Sequence, residues 1–437
     1  MQIFIKILFC MWLLTGSLAG TALAQYDYID IRNPSMRKIP VAVPPFQVIP
    51  EGSDIGVRGA KLISQYLDFA AYFKIVDPAA FLIDPNRPIP DPENVDFNNW
   101  TPIGAELLIT GNAMVQEDLI DLELRLFDPF KQSLLLGKRY KGYVRDLEKI
   151  IRRFCSEVIY HLTGHWGIFD SKIAFISTGT GNKEIYVCDF DGSNVRRLTT
   201  YDSITLNPAW SSDGKWMAYT SYDKGRPDLY IQNLRENRGT VVSKKGINIA
   251  PAWVPDGTDL AATLSFSGDQ EIYLLSREGQ VIRKLTDHWG IDTSPTWAPD
   301  GKRFAFVSSR SGTPQIHIQD VDTGRVERLT YQGRYNTQPS WSPRGDRIVY
   351  SAMERGEINI HVIDVETRTP VRLTYNSGKN ESPTWSPDGS LIAFSTTREG
   401  GGEYRLYVMT AYGTDQRRLL DMPGEQTQPA WSPRITE

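Results

Sequence analysis

Residues 383–394 read Pro383-Thr384-Trp385-Ser386-Pro387-Asp388-Gly389-Ser390-Leu391-Ile392-Ala393-Phe394. Proline presets φ and glycine accepts a positive φ, so the Ser-Pro-Asp-Gly run is a tight reversal between two apolar strands. The Pro-x-Trp that opens it recurs at Trp210, Trp253, Trp297, Trp341 and Trp431, with spacings of 43, 44, 44, 44 and 46 residues along the series. A repeat of that length with a hairpin inside it is one blade of a propeller.

The rest of the repeat fills in the blade. The reversal recurs as Ser211-Ser212-Asp213-Gly214, Val254-Pro255-Asp256-Gly257, Ala298-Pro299-Asp300-Gly301 and Ser342-Pro343-Arg344-Gly345. An apolar triplet follows each turn, as in Phe304-Ala305-Phe306 and Ile348-Val349-Tyr350. A third strand follows a Gly-containing loop, as in Glu271-Ile272-Tyr273-Leu274, and a fourth carries Arg-Leu-Thr, as in Arg328-Leu329-Thr330. Four strands per unit make a blade. The first unit has Ile173-Ala174-Phe175, Glu184-Ile185-Tyr186-Val187 and Arg197-Leu198-Thr199 but no Trp motif, while the C-terminus has a Trp motif with nothing after it. The two fragments complete one blade. The expectation is a six-bladed ring closed by the C-terminal strand, with no free sheet edge. The tryptophans are expected to fill the gaps between blades, each burying ~150–250 Å² and stabilising by roughly 4–6 kcal/mol before entropy is subtracted.

The chain has 437 residues, 41% hydrophobic and 23% charged, with a net charge of −4. That is ordinary for globular protein, and no basic stripe points to nucleic acid. Lys6, an apolar run over 7–14 and Ala22-Leu23-Ala24 before Gln25 read as a secretory signal cleaved after Ala24. No membrane span is expected in the mature chain, and export to the periplasm follows from the resemblance below. Cys155 and Cys188 fall in different domains and read as buried free thiols.

Between signal and propeller, residues 35–168 are expected to form a small α/β domain with a mixed sheet. Strands are predicted at 38–43, 73–76, from 107, at 119–127 and at 134–140, and helices at 54–70 and 147–162. The clearest is 119–127, where Ile120, Leu122, Leu124 and Leu126 alternate with Asp121, Glu123 and Arg125. Residues 25–34 form a short strand-like segment with Tyr26, Tyr28, Ile29 and Ile31; its functional reading is a tether that adds to a partner's sheet edge. The domains are therefore 1–24 signal, 25–34 partner-binding segment, 35–168 α/β domain and 169–437 propeller.

Catalytic readings find little support. The Gly-x-Ser-x-Gly elbow of propeller peptidases is missing, and too few residues follow the last blade for a hydrolase domain. Gly179-Thr180-Gly181-Asn182 joins two strands, without the helix a phosphate cradle requires. His317 and His361 occupy the third-strand site filled by tyrosine in sister blades and read as packing substitutions. His161 and His165 have ligand-compatible spacing, but Leu162 stands where a metalloprotease motif needs Glu. No cofactor is expected.

A signal peptide, a small α/β domain and a terminal six-bladed propeller with Pro-x-Trp-Ser-Pro-Asp-Gly repeats resemble the TolB family of the Tol-Pal envelope system. The resemblance covers essentially the whole mature chain. It implies a non-enzymatic, monomeric periplasmic scaffold that binds the lipoprotein Pal through the propeller mouth and TolA through the N-terminal segment, supporting outer-membrane integrity and constriction at division. The segment departs from the best-known members in carrying Asp30 between Ile29 and Ile31. The expected Pal contacts are the residues preceding each Pro-x-Trp: Thr205 and Leu206, Asn248 and Ile249, Asp292 and Thr293, Asn336 and Thr337, Glu381 and Ser382, and Gln426 and Thr427. Asn248 and Thr293 occupy repeat positions that match family contacts. The alternative is a propeller enzyme acting on periplasmic peptides or sugars.

Overall fold

The structure, a computed structural model, describes residues 37–89, 95–236, 238–255 and 257–435. The N-terminal part contains β1 (Ile39–Ala42), β2 (Gln47–Ile49), α1 (Ile55–Phe69), β3 (Phe73–Ile75), β4 (Leu107–Gln116), β5 (Leu119–Asp128), β6 (Ser133–Tyr143) and α2 (Leu147–Thr163). Its sheet runs β3-β1-β4-β5-β6, with β2 on a further stretch of β4. β1 pairs in parallel with β3 and β4, whereas β4, β5 and β6 form an antiparallel meander. The mixed sheet is as expected. The three-residue β2, just after Pro44-Pro45, is too short to show a period and was not anticipated.

The alternation in β5 is realised: Ile120, Leu122, Leu124 and Leu126 are buried. Ile63 and Leu67 of α1 and Ile151, Phe154 and Val158 of α2 join them in one cluster. α1 sits close to the loop before β2, because a Cβ on Gly56 would run into the Phe46 carbonyl. α2 ends at Gly164, whose φ of 76° makes the left-handed cap that glycine supplies most cheaply.

Six four-stranded antiparallel sheets follow. Blade 1 takes its inner strand, Gln426–Trp431, from the C-terminus and adds Lys172–Ser177, Glu184–Asp189 and Arg196–Arg197. The inner strands of blades 2 to 6 are Thr205–Trp210, Asn248–Trp253, Asp292–Trp297, Tyr335–Trp341 and Asn380–Trp385. Every inner strand carries a register shift, with a non-glycine residue at φ 50–55°: Asn207, Ala250, Ser294, Gln338, Ser382 and Gln428. The bulge bends each inner strand where the six converge.

The motif tryptophans are buried between blades. Where the middle residue of the preceding Pro-x-Trp is Ala or Ser, its carbonyl accepts the next indole N–H. The ring nitrogens of Trp210, Trp253, Trp297 and Trp385 bond to Ala430, Ala209, Ala252 and Ser340 at 3.0, 3.1, 3.1 and 3.1 Å. Where it is Thr, the hydroxyl takes the backbone N–H of the next Trp instead, as Thr296 does for Trp341 and Thr384 for Trp431. Those two indoles turn elsewhere, to the Gly345 carbonyl and to Ser171 Oγ. The Arg-Leu-Thr signature has a similar basis. The hydroxyls of Thr286 and Thr330 donate to Glu271 and Gln315 at the start of the third strand, at 2.7 and 2.8 Å, and each accepts the following backbone N–H.

Candidate functional site

The strand order gives the propeller two different ends. The Pro-Asp-Gly hairpin turns lie at one end. The connectors that lead from each outer strand into the next inner strand lie at the other.

The hairpin end of blades 1 and 6 is held against the α/β region. Phe190, fully buried, meets Tyr66, Phe69 and Phe169 at ring-centroid distances of 5.3, 5.3 and 5.2 Å. Beside it, Asp189 accepts from Arg152 Nη2 at 2.8 Å, Lys172 Nζ at 2.5 Å and Asn194 Nδ2 at 2.8 Å. Burial alone would raise the Asp189 pKa, but these donors outweigh it and hold the carboxyl below its ordinary range. Arg417 stacks 4.6 Å over Phe69 and donates to its carbonyl, and Lys38 pairs with Asp415 at 3.2 Å. One hydrophobic cluster runs through both regions, from Ile63 and Phe154 to Phe190 and Leu419.

At the connector end, large side chains stand in solvent. Trp289 is 73% exposed, Tyr331 63%, Tyr375 60%, Ile291 47% and Tyr335 46%. Phe266 and Met353 are also exposed. All seven belong to blades 3 to 5 or the connectors leaving them. A cleft of about 520 Å³ opens among them, lined by Ile291, Thr293, Val307, Tyr335, Met353 and Glu381. Tyr331 and Tyr375 are propped by Arg328 and Arg372, each guanidinium 4.8 Å from the ring centroid.

The expected contact residues divide by burial. Thr205, Asn248, Asp292, Asn336 and Gln426 are 0% exposed. Asn248, Asn336 and Gln426 each donate to the carbonyl four residues earlier, Lys244, Gln332 and Met422, at 2.9, 2.8 and 3.0 Å. Asp292 is taken by Arg310 at 2.6 Å, and burial raises its pKa. These side chains tie the connectors down and form the foundation of the rim. Leu206, Ile249, Thr293, Thr337, Glu381 and Thr427 are half-buried at its inner edge. In blade 6 the register needs correcting: five residues before Trp385 stands buried Asn380, so Glu381 matches Leu206, and Ser382 falls on the bulge with Asn207 and Ser294. Counting back five from each Trp would have found it. Tyr26, Tyr28, Ile29 and Ile31 lie outside the described residues.

The exposed connector residues were missed from sequence because they lie between repeat motifs. Their signal is an aromatic after the outer strand, as in Leu329-Thr330-Tyr331 and Leu373-Thr374-Tyr375.

His317 and His361 sit at the tyrosine site of sister blades. His317 Nε2 faces Ser311 Oγ at 3.4 Å where, one blade earlier, Tyr273 OH meets Ser267 Oγ at 2.6 Å. Burial pushes His317 down to about 4 and lowers His361. Among the described residues no group of three or more His, Cys, Asp or Glu could hold a metal ion. Cys155 and Cys188 are free and buried, and burial raises both thiols. No described helix is long and apolar enough to cross a membrane.

Comparison with known proteins gives two family matches: the TolB amino-terminal domain over residues 27–135 and the TolB beta propeller domain over 159–435. The chain is 66% identical over 422 residues to the Tol-Pal system protein TolB of Desulfosudis oleivorans, covering 96% of each. It is 42% identical over 268 residues to the Protein TolB homolog of Chlorobium chlorochromatii, covering 61% of this chain and 60% of that one. The crystal structure of TolB from Acinetobacter baumannii matches with a TM-score of 0.78 at 27% identity, over 91% of this chain and 97% of that one.

Proposed function

We propose, from the premise that this chain belongs to the TolB family of the Tol-Pal system, that it is a non-enzymatic periplasmic scaffold holding two partners at separate places. Pal docks on the connector end of the propeller. TolA engages the segment 25–34 with the α/β domain. The assembly links the cell envelope layers and supports outer-membrane integrity and constriction at division.

The observation that carries the first contact is the contrast between the propeller ends. One is covered at blades 1 and 6 by the chain's own α/β region. The other leaves Trp289, Tyr331, Tyr335 and Tyr375 in water, with Tyr335 on the wall of an open cleft. Exposed aromatics around a pocket are the composition of an interface core rather than of ordinary surface. The TolA contact rests on family membership and on the strand-forming residues Tyr26, Tyr28, Ile29 and Ile31.

The test uses the purified mature chain. Titration with the soluble domain of Pal should give saturable binding that Thr293→Arg, at the cleft wall, weakens by at least tenfold with folding intact, since an interface centre tolerates a misplaced charge poorly. Deletion of residues 25–34 should abolish TolA binding and leave Pal binding measurable. Undiminished Pal binding by a folded Thr293→Arg protein would reject the assignment of the mouth.

A further inference from the structure

The connector from blade 3 into blade 4 is tied down differently from its neighbours. In the connectors entering blades 3, 5, 6 and 1, the first buried residue of the inner strand is Asn248, Asn336, Asn380 or Gln426. Its side-chain amide donates to a connector carbonyl, that of Lys244, Gln332, Gly378 or Met422. Blade 4 has Asp292 in that place. Its carboxylate accepts from Arg310 Nη2 at 2.6 Å and, when ionised, has no proton to donate. The tie comes from two other groups. Buried Glu271, at the start of the third strand of blade 3, accepts the backbone N–H of His288 at 2.7 Å. His288 Nδ1 in turn accepts the N–H of Gly290 at 3.0 Å. The Ile291 N–H reaches Ser309 Oγ at 2.8 Å, and a Cβ on Gly290 would stand 3.0 Å from the backbone nitrogen of Arg310, so the connector lies close on blade 4.

Trp289 stands between the two clasps. At 73% it is more exposed than any other large apolar side chain among the described residues, and its indole N–H has no partner among them. The His288 ring lies against the indole, with centroids 5.1 Å apart. Ile291, two residues on, lines the cleft, so Trp289 and the cleft share one face. Glu184 braces the connector into blade 2 in the same way, accepting the N–H of Asp202 at 2.8 Å. The aromatic ring there, Tyr201, is half-buried and bonded through its hydroxyl to Tyr219. Only the connector into blade 4 combines the carboxylate brace with an indole left in water.

We propose that this connector is a preorganised anchor: Trp289 is the side chain that fastens the partner, and His288 is the positioning residue that holds it in binding geometry. The inference rests on the connector end being the Pal-binding face. It adds which residue dominates the contact and what the partner must offer: an apolar recess that admits an indole, with a hydrogen-bond acceptor for its N–H. A loop whose N–H groups are already bonded has lost its freedom on folding, so docking costs little further ordering. A large ring with two rotatable bonds then contributes most of its burial as affinity.

Calorimetric titration of the mature chain with the soluble domain of Pal tests this, with urea unfolding of each variant as the check on folding. Trp289→Ala should weaken binding by at least about thirtyfold, the loss that marks a hot spot, and leave stability unchanged. His288→Ala should weaken it by about tenfold, because the indole is then correctly placed in only a fraction of molecules. His288→Asn should return to within about threefold of wild type, since an asparagine Oδ1 accepts the N–H two residues on in the same way. In the Trp289→Ala background, His288→Ala should cost less than about twofold, as befits a residue acting only through the indole. A smaller loss from Trp289→Ala, with wild-type binding intact, overturns the inference and leaves the functional reading standing. A His288→Ala loss that persists in full without Trp289, or that His288→Asn does not recover, overturns the positioning role. No wild-type binding overturns both the inference and that reading.

Discussion

The two ends of the propeller are made by the same repeat and do opposite things with it. At the hairpin end, the turns of blades 1 and 6 meet the α/β region through Phe190, Asp189 and Arg417, and the apolar and charged groups there are matched. At the connector end, Trp289 and Tyr335 have no such cover. Sequence repetition therefore builds the ring, and departures from repetition decide which end is occupied and which is available. A stability variant should act at the first end, and an affinity variant at the second.

The largest expected effect is at the covered end. Phe190→Ala empties the space between three aromatic rings and should cost about 3–5 kcal/mol in urea unfolding. It should also separate the unfolding of the α/β region from that of the propeller. A single unchanged transition would show that the two regions are coupled elsewhere. Arg152→Met leaves the Asp189 carboxylate short of a partner and should cost about 3 kcal/mol. Because the folded Asp189 pKa is depressed, its stabilisation is present above the unfolded value near 3.9 and is lost as pH falls through the lower folded value. Asp189→Asn should remove that step from an acid titration of stability.

His317 gives an intermediate effect inside the ring. Its folded pKa of about 4 lies below the unfolded value near 6.5, so its contribution is full above pH 6.5 and declines as pH falls towards 4. His317→Tyr, the residue of sister blades, should abolish a loss of about 3 kcal/mol across that window. Trp253→Phe removes the indole donor to Ala209 and should cost about 1 kcal/mol beyond lost packing. Trp341→Phe should cost less, since that indole bonds only within its own turn. At the free end, Tyr335→Ala should change stability by less than about 0.5 kcal/mol while weakening Pal binding. A large stability loss there would mean that the side chain supports the fold and would blur the contrast between ends.

The blade count, the ring closure by residues 426–431, the buried tryptophans and the alternating β5 were all legible in the sequence. Each depends on periodicity or on the φ preferences of Pro and Gly, which are local properties of the chain. What the sequence could not yield was which half of a residue pair faces water. Thr205, Asn248 and Asp292 look like polar rim residues, yet all three side chains are buried, that of Asn248 holding a connector and that of Asp292 a neighbouring arginine. The exposed aromatics and the occupied hairpin end arise where non-repeating residues from separate blades, or from a blade and the α/β region, come together. Burial and charge pairing are sums over neighbours distant in sequence, so only the assembled ring decides them.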